Sequence, residues 1–169
     1  MFEINDFVFY GSEGVCRIDD IVSSPFSDVK TEGKYFVLHS LHGKYGTMFV
    51  PVAASDRLMR RIMSKSELGK LLSRMDSLPL IVESNLKQLK EKYSEAMRSG
   101  KPDEWVRVIK TVYDRTVNGR SNGRKVSDAE RAFSENAKKY LYMEISTVLG
   151  IPEDSVEKYI TDYMENKAV

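Results

Sequence analysis

The hydrophobic period of this chain changes near Pro51. Up to that point apolar residues fall in short strand-like runs: Phe7 and Phe9, then Val15 and Ile18 around Arg17, then Tyr35-Phe36-Val37-Leu38, then Met48-Phe49-Val50-Pro51-Val52. Beyond it they recur every three or four residues almost to the C-terminus. A period of two belongs to half-buried strands, and a period near 3.6 to helices with one buried stripe. A chain that carries the two in separate halves is expected to be α+β, with a small β-module over about 1–52 and a helical bundle of five or six helices over about 53–169. With 169 residues in all, each part has room for only a modest core.

Turn chemistry supports the division. Gly11-Ser12-Glu13-Gly14 and Gly43-Lys44-Tyr45-Gly46 read as hairpin turns, and residues 23–28 as a polar surface loop in which Phe26 is unusual. Several short antiparallel strands in so few residues favour a twisted barrel-like sheet, which limits exposed edges. The acidic pair Asp19-Asp20 reads as a turn. In the second half, Ser64-Lys65-Ser66-Glu67 and Ser127-Asp128-Ala129-Glu130 fit capping boxes. A helix is expected from about 84 to 98, another opening at Pro102, a long one from 127 closed by Gly150, and a last one after Pro152. Trp105 falls in register with Val108, Ile109 and Val112, which makes it a core residue.

Catalysis finds no support. His39 and His42 are the only histidines, and Cys16 the only cysteine, so neither a metal site nor a nucleophile–base pair can be assembled. Glycine patterns for phosphates or dinucleotides are missing. No apolar run reaches the roughly 18–20 residues of a membrane-spanning helix, and the N-terminus lacks the pattern of a signal peptide. A lone cysteine in a strand suits a small core residue in a reducing cytoplasm. No cofactor, metal, membrane or small-molecule substrate is expected.

Charge is unevenly placed. The chain as a whole carries +1, made of −3 over residues 1–51, +8 over 52–125 and −4 over 126–169. Two readings of the positive middle are open: a surface for a polyanion, or solvated helix faces paired with neighbouring glutamates. The cations in question include Lys87, Lys90, Lys101, Arg107, Lys110, Arg115, Arg120, Arg124, Lys125 and Arg131. They do not cluster with Asn or Gln on one helix, so phosphate contact without choice of sequence fits better than base reading.

The order of short motifs points further. Ile4-Asn5-Asp6-Phe7-Val8-Phe9-Tyr10, Gly14-Val15, Tyr35-Phe36-Val37-Leu38 and Val50-Pro51-Val52 are followed by Ser84-Asn85, Glu95-Ala96-Met97-Arg98-Ser99-Gly100, residues 106–115 and Ser127-Asp128-Ala129-Glu130-Arg131. In this order and spacing they resemble the CarD family of bacterial transcription regulators, whose N-terminal module also occurs in transcription-repair coupling factor. The resemblance covers nearly the whole chain. It implies a Tudor-like β-module that docks on the β subunit of RNA polymerase, and a helical domain that contacts promoter DNA beside the melted region and stabilises the open complex. Such docking would use an edge strand and apolar anchors, here Phe26, Met48, Phe49, Val50 and Pro51. Alternation puts Met48 and Val50 on one face and Phe49 on the other. DNA contact would fall to Leu86, Lys87, Lys90, Arg107, Arg115, Arg124, Lys125 and Arg131. A cytoplasmic, nucleoid-associated protein is implied.

Two positions depart from the family pattern. Leu86 stands where members commonly carry a tryptophan that wedges at the melting edge, and it reads either as a smaller wedge or as the first core residue of its helix. Phe49 stands where a basic residue is usual, so contact there would be apolar. An alternative function is a polymerase-bound adapter whose helical domain binds protein and never touches DNA.

Overall fold

The computed structural model describes residues 1–24, 33–43, 46–119 and 125–167, in two compact units, Met1–Met63 and Ser64–Val169. In the first, β1 (Phe7–Tyr10), β2 (Gly14–Ser23), β3 (Lys34–Ser40), β4 (Thr47–Pro51) and β5 (Met59–Arg61) form one antiparallel sheet in the order β4-β3-β2-β1-β5. Gly14 sits at φ 76° where β1 turns into β2, a conformation that costs a side chain but not glycine. Val8, Cys16, Ile18, Phe36, Leu38, Val50 and Met59 fill one face as a single cluster, edged by Phe2, Tyr10, Met48 and Val52.

The unit runs past the expected limit at 52. A short helix, α1 (Ser55–Leu58), leads into β5, which places Met59 opposite Tyr10 and closes the core. Three residues are too few to show a period, so only their pairing with β1 reveals this strand. Asp19 and Asp20 also lie inside β2 and not in a turn. The register slips between Ile18 and Asp20, so Asp19 occupies a bulge, where its carboxylate accepts from Arg17 Nε at 2.7 Å.

The second unit holds α2 (Lys65–Arg74), α3 (Leu86–Arg98), α4 (Pro102–Asn118), α5 (Asp128–Leu149) and α6 (Val156–Lys167). Both capping boxes form. The Ser64 hydroxyl accepts from Glu67 N–H at 3.1 Å while Glu67 accepts from Ser64 N–H at 2.7 Å, and Ser127 and Glu130 repeat the exchange. Gly150 ends α5 in the left-handed conformation at φ 66°. The buried stripes converge on Leu68, Leu71 and Leu72 of α2, Leu89, Tyr93 and Ala96 of α3, Trp105, Val108 and Val112 of α4, and Ala137, Leu141 and Ile145 of α5. Trp105 is fully buried and its ring lies 5.7 Å from that of Tyr140. Burial of each large side chain contributes roughly 1.5–3 kcal/mol, and this convergence fixes the helices on which the charged residues are mounted.

Candidate functional site

β4 is an edge strand. It pairs with β3 along one side, Tyr35 facing Pro51, Phe36 facing Val50, Val37 facing Phe49 and Leu38 facing Met48. Alternate backbone groups of such a strand point to its open side, where another chain can pair. Its side chains divide by face. Val50 is fully buried and Met48 packs half-buried on the same core, whereas Phe49 is 38% exposed on the other face beside Val37. Val50 therefore leaves the set of candidate anchor side chains: its pleat position turns it into the core. Pro51 is half-buried. Phe26 and Arg124 lie outside the described residues.

The candidate DNA residues separate just as sharply. Leu86 occupies the first position of α3, after Asn85, whose side chain accepts from Gln88 N–H at 2.8 Å and caps the helix. It is 43% exposed, which overturns its reading as a core residue, since burial on α3 begins only at Leu89. Lys87 and Lys90 stand on the outer side of the same helix and line a shallow depression of about 500 Å³ with Glu91, Ser94 and Arg98. Neither lysine makes a hydrogen bond or ion pair among the described residues, and the same holds for Arg98 and for exposed Lys125. Arg98 was not anticipated, although its spacing from Lys87 and Lys90 (positions i, i+3 and i+11) puts all three on one helical stripe.

Other cations are engaged inside the unit. Arg107 Nη1 lies 3.2 Å from Glu104 Oε2, and its Nε donates to the Pro79 carbonyl at 2.9 Å. Arg115 Nε donates to Glu130 Oε1 at 2.7 Å, and that carboxylate is fully buried. Burial pushes the Glu130 carboxyl up, but the Arg115 guanidinium and the Ser127 amide and hydroxyl outweigh it and hold the group below the ordinary glutamate range. These contacts engage Arg107 and Arg115 within the unit, and a cation already satisfied by protein must break those bonds to reach DNA. Arg131 is intermediate: it donates to the Val126 carbonyl at 3.0 Å and lies 3.4 Å from Asp128, yet is largely exposed.

His39 is exposed on β3 opposite Arg17 and Thr47. Among the described residues no group of His, Cys, Asp and Glu could hold a metal ion, and no helix is long and apolar enough to cross a membrane. Burial, and secondarily Glu13, push the Cys16 thiol up to about 12.

A sheet whose edge strand has no second partner among the described residues, and a helical bundle with cations unpaired among those residues along one helix, describe a two-module α+β binding protein. Residues 2–63 match the model of the CarD-like/TRCF RID domain, and residues 70–161 that of the CarD C-terminal domain. The chain belongs to the CarD family, and the sheet is its Tudor-like module. No curated protein matches it. Membership makes it an RNA polymerase-interacting transcription factor, in a family not known as enzymes.

Proposed function

We propose that the sheet module, residues 1–63, docks on the β subunit of RNA polymerase through the open side of β4, with Phe49, Pro51 and the exposed part of Met48 as its apolar contacts. The helical domain, residues 64–169, contacts promoter DNA without reading sequence and modulates open-complex stability, in the cytoplasm at the nucleoid. Leu86 meets the groove. Lys87, Lys90, Arg98, Lys125 and Arg131 meet phosphates. The observation that carries the DNA reading is the exposed Leu86 directly before Lys87 and Lys90, cations with no protein partner among the described residues. Apolar wedges flanked by basic residues are how minor-groove proteins hold distorted duplex.

Docking explains how few contacts suffice. A tethered second site works at an effective concentration near millimolar, so weak intrinsic DNA affinity still gives high occupancy. Five phosphate contacts would lower affinity roughly 500-fold between 50 and 200 mM salt.

The adapter reading gains from the internal engagement of Arg107 and Arg115, which shrinks the cationic surface. The two separate on one experiment: open-complex lifetime with and without the protein, comparing wild type with Leu86→Ala and Leu86→Trp. A longer lifetime that falls with alanine and rises with tryptophan supports DNA contact. Lifetimes indifferent to position 86, with retention on the polymerase β lobe intact, support the adapter. Failure to be retained on that lobe at low salt removes the docking proposal.

A further inference from the structure

Helices α4, α5 and α6 enclose a groove of about 500 Å³. Its α4 wall is an apolar stripe of Ile109, Val112 and Tyr113, at the spacing that puts residues on one helical face. Ile160 lines it from α6, and Ser134 and Tyr142 from α5. Two features set this groove apart from ordinary surface relief. Tyr113 is 70% exposed and Val117, one turn further along α4, is 53% exposed, so the apolar stripe continues uncovered beyond the groove. Ser134 is only 7% exposed, yet its hydroxyl has no hydrogen-bond partner among the described residues. Thr111, Thr116 and Thr147 instead donate to carbonyls four positions back, at 2.7 to 2.9 Å. Buried hydroxyls are normally bonded, and this one faces the groove, where an incoming group can satisfy it.

Charge selects the occupant. Three cations line the groove, and each already has an internal partner. Lys110 Nζ donates to the carbonyls of Met75 at 2.9 Å, Asp76 at 2.9 Å and Leu78 at 2.6 Å, which uses all three of its protons. Arg131 is held by the Val126 carbonyl and Asp128, and Lys138 lies 3.8 Å from Glu135. The Glu157 carboxylate, by contrast, makes no hydrogen bond or ion pair among the described residues. Burial first, then Glu157 and Glu135, push the Tyr142 hydroxyl above the ordinary tyrosine range, so the charges that act on it are both carboxylates. Residues 126–169, which supply α5 and α6, carry −4 in all. A field of that sign disfavours a polyanion in the groove and suits a basic partner. The α5 stripe from Arg131 to Tyr142 is about 16 Å long, which matches three turns of a docked helix with anchors at i, i+3, i+4 and i+7. We infer that this groove docks a basic amphipathic helix of a protein partner. Its apolar face lies against Ile109, Tyr113 and Ile160, a cationic side chain reaches Glu157 and the Tyr113 ring, and a polar group satisfies Ser134. The site is distinct from the β4 edge and from the α3 stripe, and adds protein recognition to the helical domain without relying on DNA contact.

The test is fluorescence anisotropy of a labelled helical peptide titrated with the full chain. The probe carries leucines at i, i+3, i+4 and i+7 and lysines elsewhere over about 14 residues, and its control has glutamates in place of the lysines. The lysine peptide should bind, and the glutamate peptide should bind about tenfold more weakly or worse. Tyr113→Ala, at an exposed position, should weaken binding of the lysine peptide about tenfold, and Glu157→Gln about threefold. Ser134→Ala should weaken it about fivefold while leaving the urea midpoint of the helical domain unchanged, since no internal bond is lost. Retention on the polymerase β lobe and the salt slope of DNA binding should be unchanged in Tyr113→Ala. A lysine peptide that fails to bind, or that binds Tyr113→Ala and Glu157→Gln as tightly as wild type, overturns the proposal and leaves the readings above in place. Equal affinity for the glutamate peptide overturns it too. Displacement of the peptide by duplex DNA, with weaker DNA binding in Tyr113→Ala, makes the groove a nucleic-acid site instead. Self-association of the chain that Tyr113→Ala abolishes makes its occupant a second copy.

Discussion

Replacing Arg115 with alanine should destabilise the helical domain by about 2–4 kcal/mol and leave the salt dependence of DNA binding where it was. Glu130 is fully buried at the start of α5. One oxygen accepts from Arg115 Nε at 2.7 Å, and the other from Ser127 N–H at 2.9 Å and Ser127 Oγ at 3.2 Å. Truncating Arg115 keeps the bonds from Ser127 but strips the carboxylate of its countercharge. Removing one partner of a buried pair costs about 3–5 kcal/mol. The lower range expected here reflects the 27% exposure of the Arg115 side chain, which lets water replace part of it. Arg115→Lys should fall between, since it restores charge without the guanidinium fork. Arg115→Met combined with Glu130→Gln should cost less than the two singles together, the signature of a coupled pair. The assay is urea unfolding followed by far-ultraviolet dichroism, fitted with separate transitions for the two domains, beside DNA titration across a salt series. Loss of less than about 1 kcal/mol together with a slope reduced by about one would refute this reasoning, because Arg115 would then act on phosphate and not on Glu130.

Three further outcomes follow from the same contacts. The Glu130 carboxyl is held below the ordinary glutamate value of 4.5, so its contribution to stability is complete above that value and is lost as pH falls through the lower folded-state value; urea midpoints of the helical domain between about pH 6 and about pH 3 should decline, and Glu130→Gln should flatten that decline. Val50→Ala should destabilise the sheet module by about 2 kcal/mol by opening a cavity, whereas Phe49→Ala should leave that core face intact and weaken retention on the polymerase β lobe. Cys16, buried and with its thiol pushed up to about 12, should resist alkylation in the native protein and react on unfolding; mass spectrometry that finds native protein labelled within minutes at neutral pH would contradict its placement.

The sequence carried local structure well and partners poorly. Ser64 with Glu67 and Ser127 with Glu130 are capping boxes in the chain and in the fold, because the groups that satisfy one another lie three residues apart. The same holds for Gly150 and for Pro102 at the start of α4. Strand β5 is not legible in the sequence because three residues show no period and its pairing partner, β1, lies some fifty residues earlier. Asp19-Asp20 looked like a turn because a bulge has no signature beyond its polarity. Leu86 has the spacing of a core residue relative to Leu89 and Tyr93; its exposure depends on whether another element covers the first turn of α3, which is a tertiary fact. Counting charges could not separate Arg107 and Arg115 from Lys87 and Lys90: Glu104 lies only three residues before Arg107, but the Pro79 carbonyl that also holds it and the Glu130 carboxylate that holds Arg115 sit 28 and 15 positions away.

That separation bears on what the positive middle segment is for. An excess of +8 over residues 52–125 suggests a broad cationic surface, yet Arg74 is bidentate on Asp103, Arg107 lies beside Glu104, Lys110 fills three carbonyls and Arg115 neutralises a buried glutamate. Arg74 and Arg107 are thus offset by carboxylates of the same segment, and Lys110 and Arg115 are part of the excess that holds the helical domain together, Lys110 through the α4 face that fixes the chain leading into α3. Among the described residues, the cations left for a polyanion include Lys87, Lys90 and Arg98 on the outer stripe of α3, immediately behind Leu86. Few phosphate contacts mean weak affinity and little sequence preference. A surface so made binds usefully only when something else delivers it to the right stretch of duplex, and in a polymerase-interacting family the sheet module is the part suited to do so. Severing the two modules should then abolish the effect on open-complex lifetime at protein concentrations where the intact chain saturates, while each module stays folded; an isolated helical domain that retained the effect at those concentrations would show that the cations of α3 suffice without delivery.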